Sequence, residues 1–280
     1  VSDNSDSREF FQGSHPEIQT RNVMQEDFNW EVPVEAVPVP SEGKVYSPDS
    51  SLHNRSILEI KAMTAQEEDI LTSRALIQQG SVISHLIRSC LIDKSVDVNE
   101  MLLGDKNALM VAIRVTGYGS RYSADVNCKS CNKGNNYDFD LASLEIKRLE
   151  INPVSQGENL FHFRLPVTKK DIHFKFLSGQ DESEISTMSE RMKKMTDGTT
   201  DNTVTSRLTY QIMSIDGITD KNKIGMFVKN MPAQDSRRLR SYIDQNEPGI
   251  DMRVRMNCSH CGMNSRVPLP LGTEFFWPTE

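Results

Sequence analysis

Cys128-Lys-Ser-Cys131 and Cys258-Ser-His-Cys261 decide how this chain folds. In each pair a two-residue spacing lets a tight turn aim both thiolates at one ion, and together the pairs supply the four soft ligands of a closed tetrahedral site. The flanks agree. Tyr122-Ser-Ala-Asp-Val126 and Asp251-Met-Arg-Val-Arg-Met256 alternate ahead of the pairs, and Asn136-Tyr-Asp-Phe-Asp-Leu141 and Asn264-Ser-Arg-Val-Pro-Leu269 follow them. Strand, CxxC turn and strand make a knuckle, and two knuckles facing across one ion make a split zinc ribbon. The expected fold class is α+β: helical layers around a split zinc-ribbon-like β core, with an extended N-terminal arm. The metal then closes the long intervening chain into a loop, as a crosslink would.

The expected metal ligands are therefore Cys128, Cys131, Cys258 and Cys261, with zinc as the ion. An iron–sulfur cluster fits the same four thiolates and stands as the alternative. A thioredoxin-like redox pair would open a helix after a strand, whereas both pairs here lie between strand-like runs. Disulfides would need an oxidising compartment, and no secretory signal precedes the cysteines. His260 reads as a solvent-facing knuckle tip, and Cys90, in an apolar helical run, as core. No catalytic constellation, glycine-rich phosphate loop or activated nucleophile stands out, so the chain reads as a non-enzyme without a small-molecule substrate.

The net charge of −7 is unevenly placed: residues 1–50 hold ten acids and three basic residues, and the rest carry 29 of each sign. Residues 1–55 read as an acidic arm without its own core, in which the prolines of Val32-Pro-Val-Glu-Ala-Val-Pro-Val-Pro40 favour polyproline II. Such an arm is either a solvated tail or one that orders along a partner subunit, with Phe10, Phe11, Phe28 and Trp30 as its anchors. No apolar run approaches the roughly 20 residues of a membrane span, and the chain is expected to be soluble and intracellular when made.

Residues 56–120 read as helical. Thr64-Ala-Gln-Glu67 is a capping box opening a helix that runs to Gly80, a second helix covers Val82 to Ile92, and a third starts near Asp105 and ends at Gly117-Tyr-Gly119. Residues 121–178 hold the first knuckle and a hairpin, Phe161–Leu165 with Ile172–Phe176, whose polar face carries His162 and His173 with no partner acid in view. Residues 179–249 read as a helical insertion: a helix over 180–196, a Gly198–Thr203 loop, then helices over Val204–Ile215, Lys223–Lys229 and Ala233–Asp244. Arg237, Arg238 and Arg240 form its dense basic patch, read as a salt-bridged face or a dock for an acidic neighbour rather than a nucleic-acid site, because four residues in a neutral body are weak evidence for one. A nucleic-acid-binding zinc-ribbon protein, which would need a basic ribbon surface, stands as an alternative against a ribbon that is close to neutral as a whole. Residues 250–280 hold the second knuckle and an aromatic tail, Phe275, Phe276 and Trp277, which either folds back or plugs a neighbour.

Met63-Thr-Ala-Gln-Glu-Glu-Asp-Ile-Leu-Thr72, the run Leu103–Gly119 leading into a CxxC, and the closing CxxC followed by Pro-Leu-Pro and Phe-Phe-Trp-Pro278 together resemble the baseplate hub protein family of T-even-type contractile-tailed bacteriophages. The similarity spans about Ser56 to Pro278 and leaves the acidic arm outside. It implies a structural subunit of the virion tail baseplate, made in the bacterial host cytoplasm, whose partners are other hub, wedge and tail-tube proteins. An assembly chaperone that leaves before the particle matures is compatible with the same features.

Overall fold

A computed structural model describes residues 21–24, 30–195, 203–269 and 275–276. The anchors Phe10, Phe11 and Phe28, the loop residues 198–202 and Trp277 lie outside the described residues.

β1 (Arg21–Met24) pairs antiparallel with β2 (Trp30–Val32), and β3 (Val34–Pro38) with β4 (Ile57–Lys61), in register from Val34↔Lys61 to Pro38↔Ile57. The packed body thus starts well inside the expected arm, and the proline-rich stretch is a strand rather than polyproline II. The β-branched valines explain this. Val37 and Val39 are buried beside Val45, Tyr46 and Leu52, so the segment gains a partner strand and a core face of its own.

The helices α1 (Ala65–Thr72) and α2 (Arg74–Gln78) replace the single helix expected up to Gly80. Ser73 is extended between them, and Ile77 is left half-exposed. Then come α3 (Val82–Cys90), with Leu86, Ile87 and Cys90 buried, and α4 (Leu103–Tyr118). In α4 every residue from Ala108 to Arg114 is buried, so this helix is covered on all sides and the rest of the chain packs around it. Its first turn is tied to the N-terminal segment by Asp105, which accepts from Ser41 N (2.9 Å), Ser41 Oγ (2.6 Å) and Tyr46 OH (2.6 Å).

β5 (Arg121–Asn127) and β6 (Gly134–Asp140) form the first CxxC hairpin, and β12 (Arg253–Asn257) and β13 (Asn264–Pro268) the second. Between them lie β7 (Ile146–Lys147), β8 (Phe161–Arg164), β9 (Asp171–Phe174), α5 (Gly179–Met195), α6 (Thr203–Gln211), β10 (Ile212–Ile215), α7 (Lys221–Asn230), α8 (Ala233–Asn246) and β11 (Gly249–Ile250). The expected Val204–Ile215 helix stops at Gln211, because Ile212–Ile215 joins a three-stranded sheet in the order β10-β9-β8. The insertion expected to be helical over residues 179–249 is therefore not purely so; it contributes the strand Ile212–Ile215 to the sheet. The β8–β9 hairpin sits as expected, but His162 does have an acid partner: its Nε2 lies 3.0 Å from Asp171 Oδ1, while His173 Nδ1 lies 3.0 Å from Ser214 Oγ.

The C-terminal aromatics fold back on the chain's own body. Phe275 and Phe276 are buried, Phe275 meets the edge of Tyr122 at 5.3 Å, and its carbonyl accepts from Arg114 Nε at 2.6 Å. The same buried guanidinium donates to Gly119 O (2.8 Å) and Arg121 O (3.1 Å), so one side chain ties the tail to the start of β5.

The capping residue Glu67 does more than complement the helix dipole. Its side chain is buried and accepts from Thr64 N (2.9 Å), Lys61 Nζ (2.7 Å) and Ser89 Oγ (2.6 Å), joining β4, α1 and α3. Burial pushes its carboxyl up, but the hydrogen bonds from Lys61, Ser89 and Thr64 outweigh this and hold it at about 2, against an ordinary 4.5. A depressed carboxyl contributes stability that is fully present above its unfolded value and is lost as pH falls through its folded one. Urea unfolding should therefore show stability falling between pH 4.5 and about 2, with a shallower fall in Glu67→Gln.

Candidate metal centre

Two local turns and one remote strand pair build the centre. In each hairpin the first cysteine starts the turn: Cys128 N donates to Lys133 O and Cys258 N to Met263 O, both at 3.0 Å. Asn132 N then donates to Cys128 O (2.9 Å) and Gly262 N to Cys258 O (2.8 Å). Both donors sit in the left-handed region, Asn132 at φ 55° and Gly262 at φ 69°, which glycine and asparagine tolerate best. The hairpins meet because β7, just after the first, pairs with β11, just before the second, through Ile146↔Ile250 and Lys147↔Gly249. Asp251 N extends the ladder to Glu145 O at 2.9 Å.

All four expected ligands come together. Cys128 Sγ lies 3.7 Å from Cys261 Sγ and Cys131 Sγ 3.7 Å from Cys258 Sγ, and the four sulfurs are all within 4.8 Å of one another. Each hairpin's first cysteine thus faces the other's second. These separations are far longer than the roughly 2.05 Å of a disulfide. They match the edge of about 3.8 Å that a tetrahedron of thiolates has around one ion at about 2.3 Å. The four cysteines could hold a metal ion.

The turns favour the anionic sulfur at the first cysteine of each hairpin, whereas at Cys261 the Met263 N–H works downward but is outweighed by the neighbouring thiols and burial, which push its thiol up to about 12. Backbone N–H groups of Cys131 and Ser130 hold the Cys128 thiol below its ordinary 9.0. At Cys258 burial works upward, yet the N–H groups of Cys261 and His260 outweigh it and bring the thiol down to about 6. Cys90 is the contrast: buried in the helical core, its thiol is pushed up to about 12 by burial and then by the Glu67 carboxylate. His260 is exposed and stands outside the sulfur cluster.

Asn135 is a contributor that reading the cysteines alone misses. Its amide spans the two hairpins, with Oδ1 accepting from Ser259 N (3.0 Å) and Ser259 Oγ (2.8 Å) and Nδ2 lying 3.6 Å from Cys258 Sγ. The available signal was the matching of the two hairpins position by position, which pairs Asn135 with Ser265.

The other sequence candidates lie elsewhere. Arg237, Arg238 and Arg240 are exposed on α8 and have no ion-pair partner among the described residues, so the salt-bridged reading of that face does not hold. The helix's own acids are engaged: Asp235 is buried and accepts from Val167 N (2.7 Å), Thr168 N (2.9 Å) and Thr168 Oγ1 (2.8 Å), and Asp244 pairs with Arg253 at 3.3 Å. A groove of about 850 Å³ runs between α3 and α5 over the start of α4, and none of the four clustered cysteines lines it. No helix among the described residues is long and apolar enough to cross a membrane.

A mixed α/β body with small antiparallel sheets, whose two CxxC hairpins meet at a four-thiol cluster, is the class these observations define. The chain belongs to the family described as T4 bacteriophage base plate protein, whose family model matches residues 36–277. Comparison with curated proteins and with solved structures gave no match.

Proposed function

We propose that the chain is a structural subunit of the hub or inner region of a contractile phage-tail baseplate, in which one zinc ion on Cys128, Cys131, Cys258 and Cys261 clips two halves of a split zinc ribbon together. The observation that carries the metal half of this reading is the mutual approach of four sulfurs from two distant segments. A closed set of four thiolates leaves no coordination position for a substrate, which suits zinc in a structural role. Sulfurs this close leave room for one ion, whereas a multi-iron cluster would hold its cysteines farther apart around several metals.

Neighbouring hub, wedge and tail-tube proteins then dock on the surfaces left uncommitted, within a virion assembled from subunits made in the host cytoplasm. The α8 face is the clearest of these surfaces, since three guanidinium groups without internal partners suit carboxylates on a neighbour. Replacing Arg237, Arg238 and Arg240 together with glutamate is expected to change folding stability by no more than about 0.5 kcal/mol each, as surface substitutions do. The same variant should be incorporated poorly into tails, measured by quantitative mass spectrometry of purified particles. Wild-type incorporation by the triple variant would remove this face from the interface.

The subunit reading itself is tested by a conditional null. Without the protein, complete baseplates should be missing, and in normal infections the protein should be present in finished tails. A protein required for assembly yet absent from finished tails would make it an assembly chaperone instead.

A further inference from the structure

The two CxxC hairpins are near copies in backbone but not in side chains. Position by position, Cys128 matches Cys258, Asn132 matches Gly262, and Asn135 matches Ser265. Asn135 faces Val126 across its hairpin, and Ser265 faces Met256 in the same register. What these two side chains do differs. Asn135 is 6% exposed and uses both ends of its amide: Nδ2 donates to Lys133 O at 3.0 Å, Oδ1 accepts from both N and Oγ of Ser259, and Cys258 Sγ lies 3.6 Å from Nδ2 and 3.6 Å from Oδ1. Ser265, shorter by the amide group, has its hydroxyl buried with no hydrogen-bond partner among the described residues.

We infer that Asn135 is a positioning residue for the thiol cluster: a one-sided bracket that reaches from the first hairpin to the second CxxC turn and aims Cys258 at the ion. This rests on the metal reading above. Two effects follow from the geometry. Oδ1 fixes the Ser259 backbone, which sets the direction of the Cys258 side chain, because Ser259 is the next residue. Nδ2 supplies an N–H to a sulfur that carries negative charge when metal is bound; four thiolates around a divalent ion leave a net charge of about −2, and donors to sulfur offset it. Cys128 receives a local donor, Ser130 N at 3.4 Å, from its own turn. Cys258 has local donors too, the N–H groups of His260 and Cys261, and beyond them a side-chain amide from the other half of the chain, a contact that depends on the two hairpins being joined.

The test uses the full-length, metal-loaded protein with three single variants. Asn135→Ala removes the whole bracket; Asn135→Asp keeps the shape and the acceptor for Ser259 but replaces the N–H donor with charge; Ser265→Ala removes a hydroxyl that has no partner. Zinc affinity is measured by chelator competition, and the order in which the cysteines react with a thiol reagent by mass spectrometry. Asn135→Ala should weaken zinc binding by about 10–100-fold, the usual effect of losing a group that orients a ligand. Cys258 should become the first cysteine to react. Asn135→Asp should weaken binding at least as much, and Ser265→Ala should stay within about threefold of wild type, since no hydrogen bond is lost. Should Asn135→Ala fold poorly, Asn135→Asp keeps the proposal open to refutation, because wild-type affinity in a variant that lacks the N–H donor and adds negative charge would overturn the donor role. Wild-type affinity and wild-type reaction order in both Asn135 variants would overturn the bracket while leaving the metal site intact. A wild-type protein that binds no zinc would overturn the metal reading and the bracket with it.

Discussion

With zinc on the four cysteines as proposed, its removal, by chelation or by Cys128→Ser, is expected to be the most damaging single change to this protein. Isolated two-stranded hairpins are marginal in water, and β5–β6 and β12–β13 are both two-stranded. Their inward side chains, among them Tyr122, Phe139, Met256 and Val267, stay buried while the hairpins are held in place. Structural zinc sites contribute an apparent binding free energy of about 10–16 kcal/mol at neutral pH in small zinc-dependent folds. Whole domains are stable by only about 5–15 kcal/mol. The α4 core should survive the loss, since its contacts with β3, β4 and α3 do not pass through the cysteines. Hydrogen exchange should therefore show the two hairpins losing protection together on chelation, while Ala108–Ile113 keep theirs. Unchanged protection in the hairpins would mean that packing alone holds them.

Gly104→Ala is expected to cost more than about 3 kcal/mol, beyond ordinary overpacking, because backbone rather than a flexible side chain stands in the way. A Cβ built on Gly104 would lie 1.7 Å from Pro248 O and 2.8 Å from Gly249 Cα. This is where the first turn of α4 meets the strand β11, which leads into the second CxxC hairpin. The substitution should thus loosen the approach of the two halves as well as lower the unfolding midpoint. Gly225→Ala is the control. It lies within α7, and its added Cβ would meet only Thr209 Cγ2 at 3.8 Å. Helix propensity predicts a gain of up to about 1 kcal/mol there. Denaturant unfolding of both variants checks the pair, and equal effects would remove the close-approach explanation.

The cysteine pairs and their hairpins were legible in the sequence because their signals are local: a two-residue spacing flanked by alternating runs. The helix α4 was legible for the same reason. What escaped depends on partners distant in the chain. Ile212–Ile215 follows a helix without a turn signal and becomes a strand only because β9 offers its edge. Val34–Pro38 looks like polyproline II until β4 is supplied. Thr64 and Glu67 announce a helix start, but nothing nearby shows that Lys61 and Ser89 will close around the carboxylate. Asn135 resembles any polar residue after a turn, and its reach to Ser259 exists only once β7 and β11 have paired. The family match, likewise, sets the assembly to which the protein belongs and leaves the clip to chemistry.

The most direct test of the metal clip is elemental analysis with an absorption spectrum on protein purified without air, alongside Cys128→Ser and Cys258→Ser. One zinc per chain, no visible absorption, and loss of the ion in both variants is the predicted result, since each variant removes a ligand from a different half of one site. A protein without metal, a coloured protein carrying several irons, or an ion lost in only one of the two variants would contradict it.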